Sequence, residues 1–123
     1  MSDKKIGSIE WRDLTVEHAD EVKDFYAKIV GWETEPVSMG DYDDFNINVP
    51  DSGETVAGIC HARGANAEIP PQWMMYVRVA DAAQSANKAV NLGGEVIAGP
   101  RSMGGETYFT IRDPAGAVIT IFS

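Results

Sequence analysis

The sequence predicts an α+β fold made of two copies of one module, ordered strand, helix, strand, strand, strand. Three observations carry this expectation. Residues 9–32, IEWRDLTVEHADEVKDFYAKIVGW, read as a strand, a short turn and an amphipathic helix closed by Gly31. Residues 73–96, WMMYVRVADAAQSANKAVNLGGEV, repeat that order, passing through an acidic turn into a helix that stops at Gly93 and Gly94. Val16 answers to Val79, Gly31 to Gly93 and Gly53 to Gly116, at an offset that drifts by one residue along the chain.

Residues 1–5 read as a solvated leader. Ile9, Trp11, Leu14 and Val16 mark a first strand within 6–16. Because side chains alternate along a strand, Trp11, Asp13 and Thr15 share one face while Arg12, Leu14 and Val16 share the other. Ala19, Val22, Phe25, Tyr26, Ile29 and Val30 then recur at three- and four-residue spacing, the signature of a helix with one apolar stripe. Gly31 caps it. An extended stretch at 32–39, the turn signal Gly40–Asp41, alternation of Phe45, Ile47 and Val49, the turn at 50–53 and a strand at 55–61 complete the first half.

ARGANAEIPP, at 62–71, is polar and ends in the stiff pair Pro70–Pro71, so it is assigned as the linker. The second half opens with a strand at 73–79 and a helix at about 82–92, where Asp81 at the N-cap and Gln84 three residues on form a capping-box signature. Strands at 95–98, 107–112 and 118–122 follow. Gly99–Pro100 and residues 113–116 are read as turns, and Gly104–Gly105 as a hairpin tip. The expectation is one domain over 1–123, with a first module at about 6–61, the linker at 62–71 and a second module at about 72–123.

The chain has 123 residues, 44% of them hydrophobic, enough for one core but not for two independent ones. Its formal charge of −9 argues against nucleic-acid or anionic-membrane partners, which need clustered Lys and Arg. No apolar run approaches a membrane span and the N-terminal MSDKKIG lacks a signal-peptide core, so a soluble cytoplasmic protein is expected. Cys60 is the sole cysteine, which excludes an intrachain disulfide and a multi-cysteine zinc site.

The duplicated modules, with FYAKIVGW closing the first helix, GGEV after the second and DPAG before the last strand, resemble the vicinal oxygen chelate superfamily over essentially the whole chain. That group includes glyoxalase I, bleomycin-resistance proteins and extradiol dioxygenases. WRDLT and VAGICHARG ahead of PPQW look most like its small bacterial members of unassigned activity. The resemblance implies a partly open, mixed β-sheet barrel with a concave pocket, and a homodimer. In the family's enzymes four strand positions supply His, Glu or Gln to a divalent metal. By the resemblance those positions fall here on Trp11, on Gly58 or Ala57, on Met74 (Trp73 if the register slips by one) and on Thr120. None of them supplies a donor suited to such an ion, so no metal or other cofactor is expected. Glyoxalase, dioxygenase and epimerase chemistry that depends on the metal is disfavoured with it.

The residues predicted to bind a ligand are Trp11, Asp13 and Thr15 on the first strand, Met74, Tyr76 and Arg78 on the fifth, Thr120 and Phe122 on the eighth, and Cys60. Asp13 and Arg78 read either as an ion pair that supports the sheet or as direct ligand contacts; Trp11 and Met74 read either as pocket walls or as core. Cys60 and His61 are neighbours on a strand and so cannot form a dyad with each other; which of them faces the pocket stays open. His18, at the start of the first helix, is assigned a surface or capping role. DYDDF, at 41–45, reads as a hairpin turn rather than a calcium loop.

Three functions remain open: a metal-independent binder of a small molecule in the concave cleft, a lyase or isomerase of the same fold using pocket Asp, Tyr, Arg or Cys side chains, and an assembly or partner-binding unit.

Overall fold

The computed structural model describes residues 5–123; of the predicted leader, residues 1–4 lie outside the described residues. Its elements run β1 (Ile9–Val16), α1 (Ala19–Val30), β2 (Glu33–Ser38), β3 (Asp43–Asn48), β4 (Thr55–His61), a 3-10 turn (Gly64–Asn66), β5 (Trp73–Arg78), α2 (Ala82–Asn91), β6 (Glu95–Met103), β7 (Glu106–Arg112) and β8 (Val118–Phe122). The fold is α+β with a mixed sheet, as the repeat predicts. β1 runs parallel to β4 and β5 parallel to β8, whereas β2/β3, β3/β4, β6/β7 and β7/β8 are antiparallel. The chain divides into two compact units, Arg12–Trp73 and a second that joins the residues up to Trp11 to Met74–Ser123.

Within Arg12–Trp73 the strands lie in the order β2-β3-β4-β1. Leu14 pairs with Ile59, Ile59 with Phe45 and Ala57 with Ile47, so alternation sends all five side chains to one side of the sheet. They are buried there with Ala19 of α1, while Val16, Val22, Tyr26 and Trp32 pack around them. Ile47 and Ile59 are wholly covered, and each contributes about 1.5–3 kcal/mol by leaving water. α1 begins where the His18 carbonyl accepts the Glu21 and Val22 N–H groups; the His18 side chain makes no capping bond. It ends at Gly31, whose φ of 86° lets its N–H reach the Ala27 carbonyl. Trp73 closes the unit: its indole N–H donates to the Tyr26 hydroxyl at 3.1 Å, and its ring stands edge-on to Tyr26 and Trp32.

In the other unit the order is β5-β8-β7-β6. The chain just before β1 pairs with β5, where the Gly7 N–H donates to the Arg78 carbonyl and the Arg78 N–H to that of Ser8. Asp81 caps α2 by accepting the Gln84 N–H at 3.1 Å, as the sequence signature predicts. Ala82 and Ala86 are the buried residues of α2, and the helix lies against β6, β7 and β8.

One predicted turn is different in the structure. Gly99–Pro100 lies inside β6, where the register to β7 shifts on either side of Ala98, so the strand bulges and continues instead of ending. Gly99 takes a φ of 111°, and a Cβ there would sit 2.6 Å from the Tyr108 carbonyl oxygen. Gly99→Ala is therefore expected to cost about 1–3 kcal/mol, seen as a lower urea midpoint at unchanged slope.

Candidate functional site

In each unit the helix covers one side of the strands, and the predicted site residues lie on the other. Within Arg12–Trp73, Asp13 is the Cα partner of Gly58, Thr15 of Cys60, and Asn46 also of Gly58. Partners in register project to the same side, opposite Leu14, Phe45 and Ile59. Asp13 and Thr15 are buried and Cys60 is half-buried. Cys60 thus shares a face with Thr15. The His61 imidazole lies elsewhere, with Nδ1 3.3 Å from Asp44 Oδ1 and Nε2 3.5 Å from Asp20 Oδ2. Its backbone N–H donates to the same Asp44 oxygen at 2.8 Å.

In the second unit Tyr76 pairs with Thr120 and Arg78 with Phe122, and alternation adds Met74 to the same face. The register extends that face to residues absent from the sequence prediction: Thr110 opposite Thr120, Tyr108 opposite Phe122 and Arg101 opposite Tyr108. Tyr108 stacks on Phe122 with centroids 5.2 Å apart, and Tyr76 meets Tyr108 edge-on at 6.0 Å. The alternation of Tyr108 and Thr110 against Phe109 and Ile111 in TYFTIR was the available signal for them.

Two polar arrangements hold this face together. Arg101 Nη2 donates to Thr110 Oγ1 at 3.4 Å, the Thr110 and Thr120 hydroxyls are 2.9 Å apart, and Thr120 Oγ1 donates to Met74 Sδ at 3.3 Å. If Thr120 spends its proton on sulfur, Thr110 must be the donor between the two hydroxyls, and the chain has one direction. Beside it, the Arg78 guanidinium donates to both oxygens of Glu10, from Nε at 2.7 Å and Nη2 at 3.0 Å. It also donates to both oxygens of Glu106, from Nη1 at 2.8 Å and Nη2 at 3.1 Å, and it lies 4.5 Å from the Phe122 ring centre. Arg78 is thus paired with two glutamates, Glu10 and Glu106. Alternation alone puts Glu10 on the face opposite Trp11, and the partnership with β5 is not local in sequence.

The hydrogen bonds to Glu106 and then to Glu10 hold the Arg78 guanidinium's pKa above the ordinary arginine range. The Tyr108 phenol is also raised, by burial first and by the Glu106 charge second. Burial separates packing from contact. Met74 and Thr120 are wholly covered and Tyr76 and Phe122 nearly so, whereas Trp11, Cys60, Arg101 and Tyr108 keep part of their surface in solvent. Trp11, Arg101 and Tyr108 of one unit thus offer two aromatic rings and a guanidinium to solvent, and Cys60 of the other offers a thiol.

Residues 5–121 match the family model described as the Glyoxalase/Bleomycin resistance protein/Dioxygenase superfamily. The chain belongs to this superfamily. Among curated proteins it is 32% identical over 128 residues to "Putative glyoxylase CFP32" of Mycobacterium tuberculosis (strain CDC 1551 / Oshkosh) and equally to that of Mycobacterium bovis (strain ATCC BAA-935 / AF2122/97). These alignments cover 98% of the chain and 47% of the relative, so the chain spans about half the length of the curated relatives it matches. Among solved structures it is similar to a glyoxalase/bleomycin resistance protein/dioxygenase superfamily member from Vibrio splendidus 12B01, with TM-score 0.59, 12% identity and coverage of 94% and 98% of the two chains. It is also similar to methylmalonyl-CoA epimerase from Mycobacterium tuberculosis, with TM-score 0.53, 15% identity and coverage of 99% and 91%. At these identities the likeness to solved structures is one of fold.

The superfamily's enzymes use a divalent metal, and the side chains at the corresponding positions can be tested against one. Thr120 and Met74 are already bonded to each other, and a thioether is a poor ligand for a hard divalent ion. Gly58 and Ala57 have no donor atom, and the indoles of Trp11 and Trp73 offer an N–H but no lone pair. The donor set does not fit the group, and no reaction step is derived through it. Among the described residues, no cluster of three His, Cys, Asp or Glu side chains is arranged to hold a metal ion.

Proposed function

We propose that this superfamily member binds a flat, partly aromatic small molecule without a divalent metal, and acts by holding that molecule rather than by metal-assisted catalysis. The observation that carries this reading is the hydroxyl–thioether chain through Thr110, Thr120 and Met74. It consumes the polar capacity of two of the positions where the family's enzymes place metal ligands. Tyr108 supplies a ring to stack on, with Arg101 beside it in register and Phe122, Tyr76 and Arg78 supporting it from behind. Trp11 is a proposed contact in the same unit, and Asp13, Thr15 and Cys60 are proposed contacts within Arg12–Trp73. A homodimer is part of the same reading.

The test is a nuclear magnetic resonance screen of chelator-treated protein against a panel of flat aromatic acids, amides and phenols. Binding is expected to shift the Tyr108 and Phe122 ring signals, to be unchanged by added chelator, and to weaken about three- to ten-fold in Tyr108→Ala. A panel without a single hit, or binding that appears only when a divalent metal is added, would contradict the reading.

A further inference from the structure

We infer that the segment joining β4 to β5 forms a binding site of its own, for a small organic cation with an apolar body. β1 and β4 are parallel and end side by side, with Val16 the Cα partner of His61, and a cavity of about 500 Å³ opens beyond their ends. That volume lies within the range of small-molecule sites. The wall facing the strand ends comes from residues 62–71, which the sequence marks only as a linker.

The linker is tied down rather than loose. The Ala62 N–H donates to the Val16 carbonyl at 2.9 Å, the Ile69 N–H to that of Asn66 at 3.1 Å, and the Ile69 side chain is buried. Such a wall exists before a ligand arrives, which lowers the ordering cost of binding.

The lining chemistry selects the ligand. Val16, Ala62, Ala67, Ile69 and Pro71 are apolar, and the polar side chains among the lining residues are the Thr15 hydroxyl and the Glu17 carboxylate. Arg63, the cation of the same segment, points elsewhere: its guanidinium lies 4.0 Å from the Tyr42 ring centre and 3.8 Å from Asp41. Among the described residues Glu17 has no side-chain hydrogen bond and no ion pair, and its side chain is exposed. An anionic ligand would meet a carboxylate that has no cation beside it among the described residues, in a chain of formal charge −9, whereas a protonated amine would meet both an attractive field and a partner. The fit is to an alkyl or arylalkyl ammonium, with its charge at Glu17 and its hydrocarbon against Ile69 and Pro71.

Phenethylamine, phenethyl alcohol and phenylacetate share one body and differ in charge, so they serve as probes in a backbone amide shift titration. The amine is expected to move the amides of Ala62, Ala67 and Ile69, to bind about two- to five-fold more tightly than the alcohol, and to exceed phenylacetate by more. In Glu17→Gln the amine and the alcohol should bind equally, while Glu21→Gln, a carboxylate change on α1, should keep the preference. Phenylacetate binding as well as the amine, an amine preference that survives Glu17→Gln, or the absence of shifts in residues 62–71 would each overturn the assignment.

Discussion

Thr120→Glu is expected to destabilise the protein by about 3–5 kcal/mol and to install no metal site. Glu is one of the ligand types that the resemblance implies for the family's metal positions, so the substitution tests whether the site is a metal site lacking one ligand or a surface rebuilt for another purpose. Thr120 is fully buried, with its hydroxyl set between the Thr110 hydroxyl at 2.9 Å and the Met74 sulfur at 3.3 Å. A carboxylate there meets a hydroxyl and a thioether, neither of which offsets a buried negative charge, and the nearest cation, Arg101, is separated from it by the Thr110 hydroxyl to which it donates. The deficit should grow as the pH rises, because the folded state favours the neutral acid while the unfolded chain ionises in the ordinary glutamate range. Urea midpoints of the variant and wild type at pH 5 and pH 8 measure it. A stable variant that gains one equivalent of tightly bound divalent metal would show that the other family positions still form a competent set.

Arg78→Met is expected to be strongly destabilising through a different mechanism. The substitution keeps most of the volume but removes all four N–H···O bonds to Glu10 and Glu106, which leaves two carboxylates close together with no cation between them. Arg78→Lys should recover little, since a single ammonium cannot make two forked pairs. The decisive comparison is the triple variant Arg78→Met, Glu10→Gln, Glu106→Gln. If the loss comes from stranded carboxylates, the triple variant is more stable than Arg78→Met alone in urea denaturation. Equal midpoints would assign the loss to packing against Phe122 instead.

The sequence was most informative where periodicity is local. The stripe from Ala19 to Val30 and the signals at Gly31 and Asp81 fix the two helices, because caps and apolar stripes are set by residues within a turn of one another. Alternation likewise grouped Asp13 with Thr15 and Met74 with Tyr76 and Arg78, since a strand has only two sides. What alternation cannot supply is the partner strand. Tyr108, Thr110 and Arg101 join the candidate site through register between neighbouring strands, and Glu10 and Glu106 through side-chain bonds to Arg78 that are remote in sequence. Gly99–Pro100 carries strong turn chemistry, yet pairing with β7 continues across it as a bulge. The linker reads as a polar spacer in sequence; its role as a cavity wall depends on where Ile69 is buried.

On this reading the superfamily fold is retained while two of its metal positions, Met74 and Thr120, are filled by side chains that bond to one another. Elemental analysis of protein purified without chelator, followed by titration with zinc, manganese and nickel salts, tests it most directly. No stoichiometric divalent metal is expected as purified, and no saturable uptake of one equivalent. One equivalent of bound metal, removable by chelator and abolished in Thr120→Val and Met74→Leu, would contradict it.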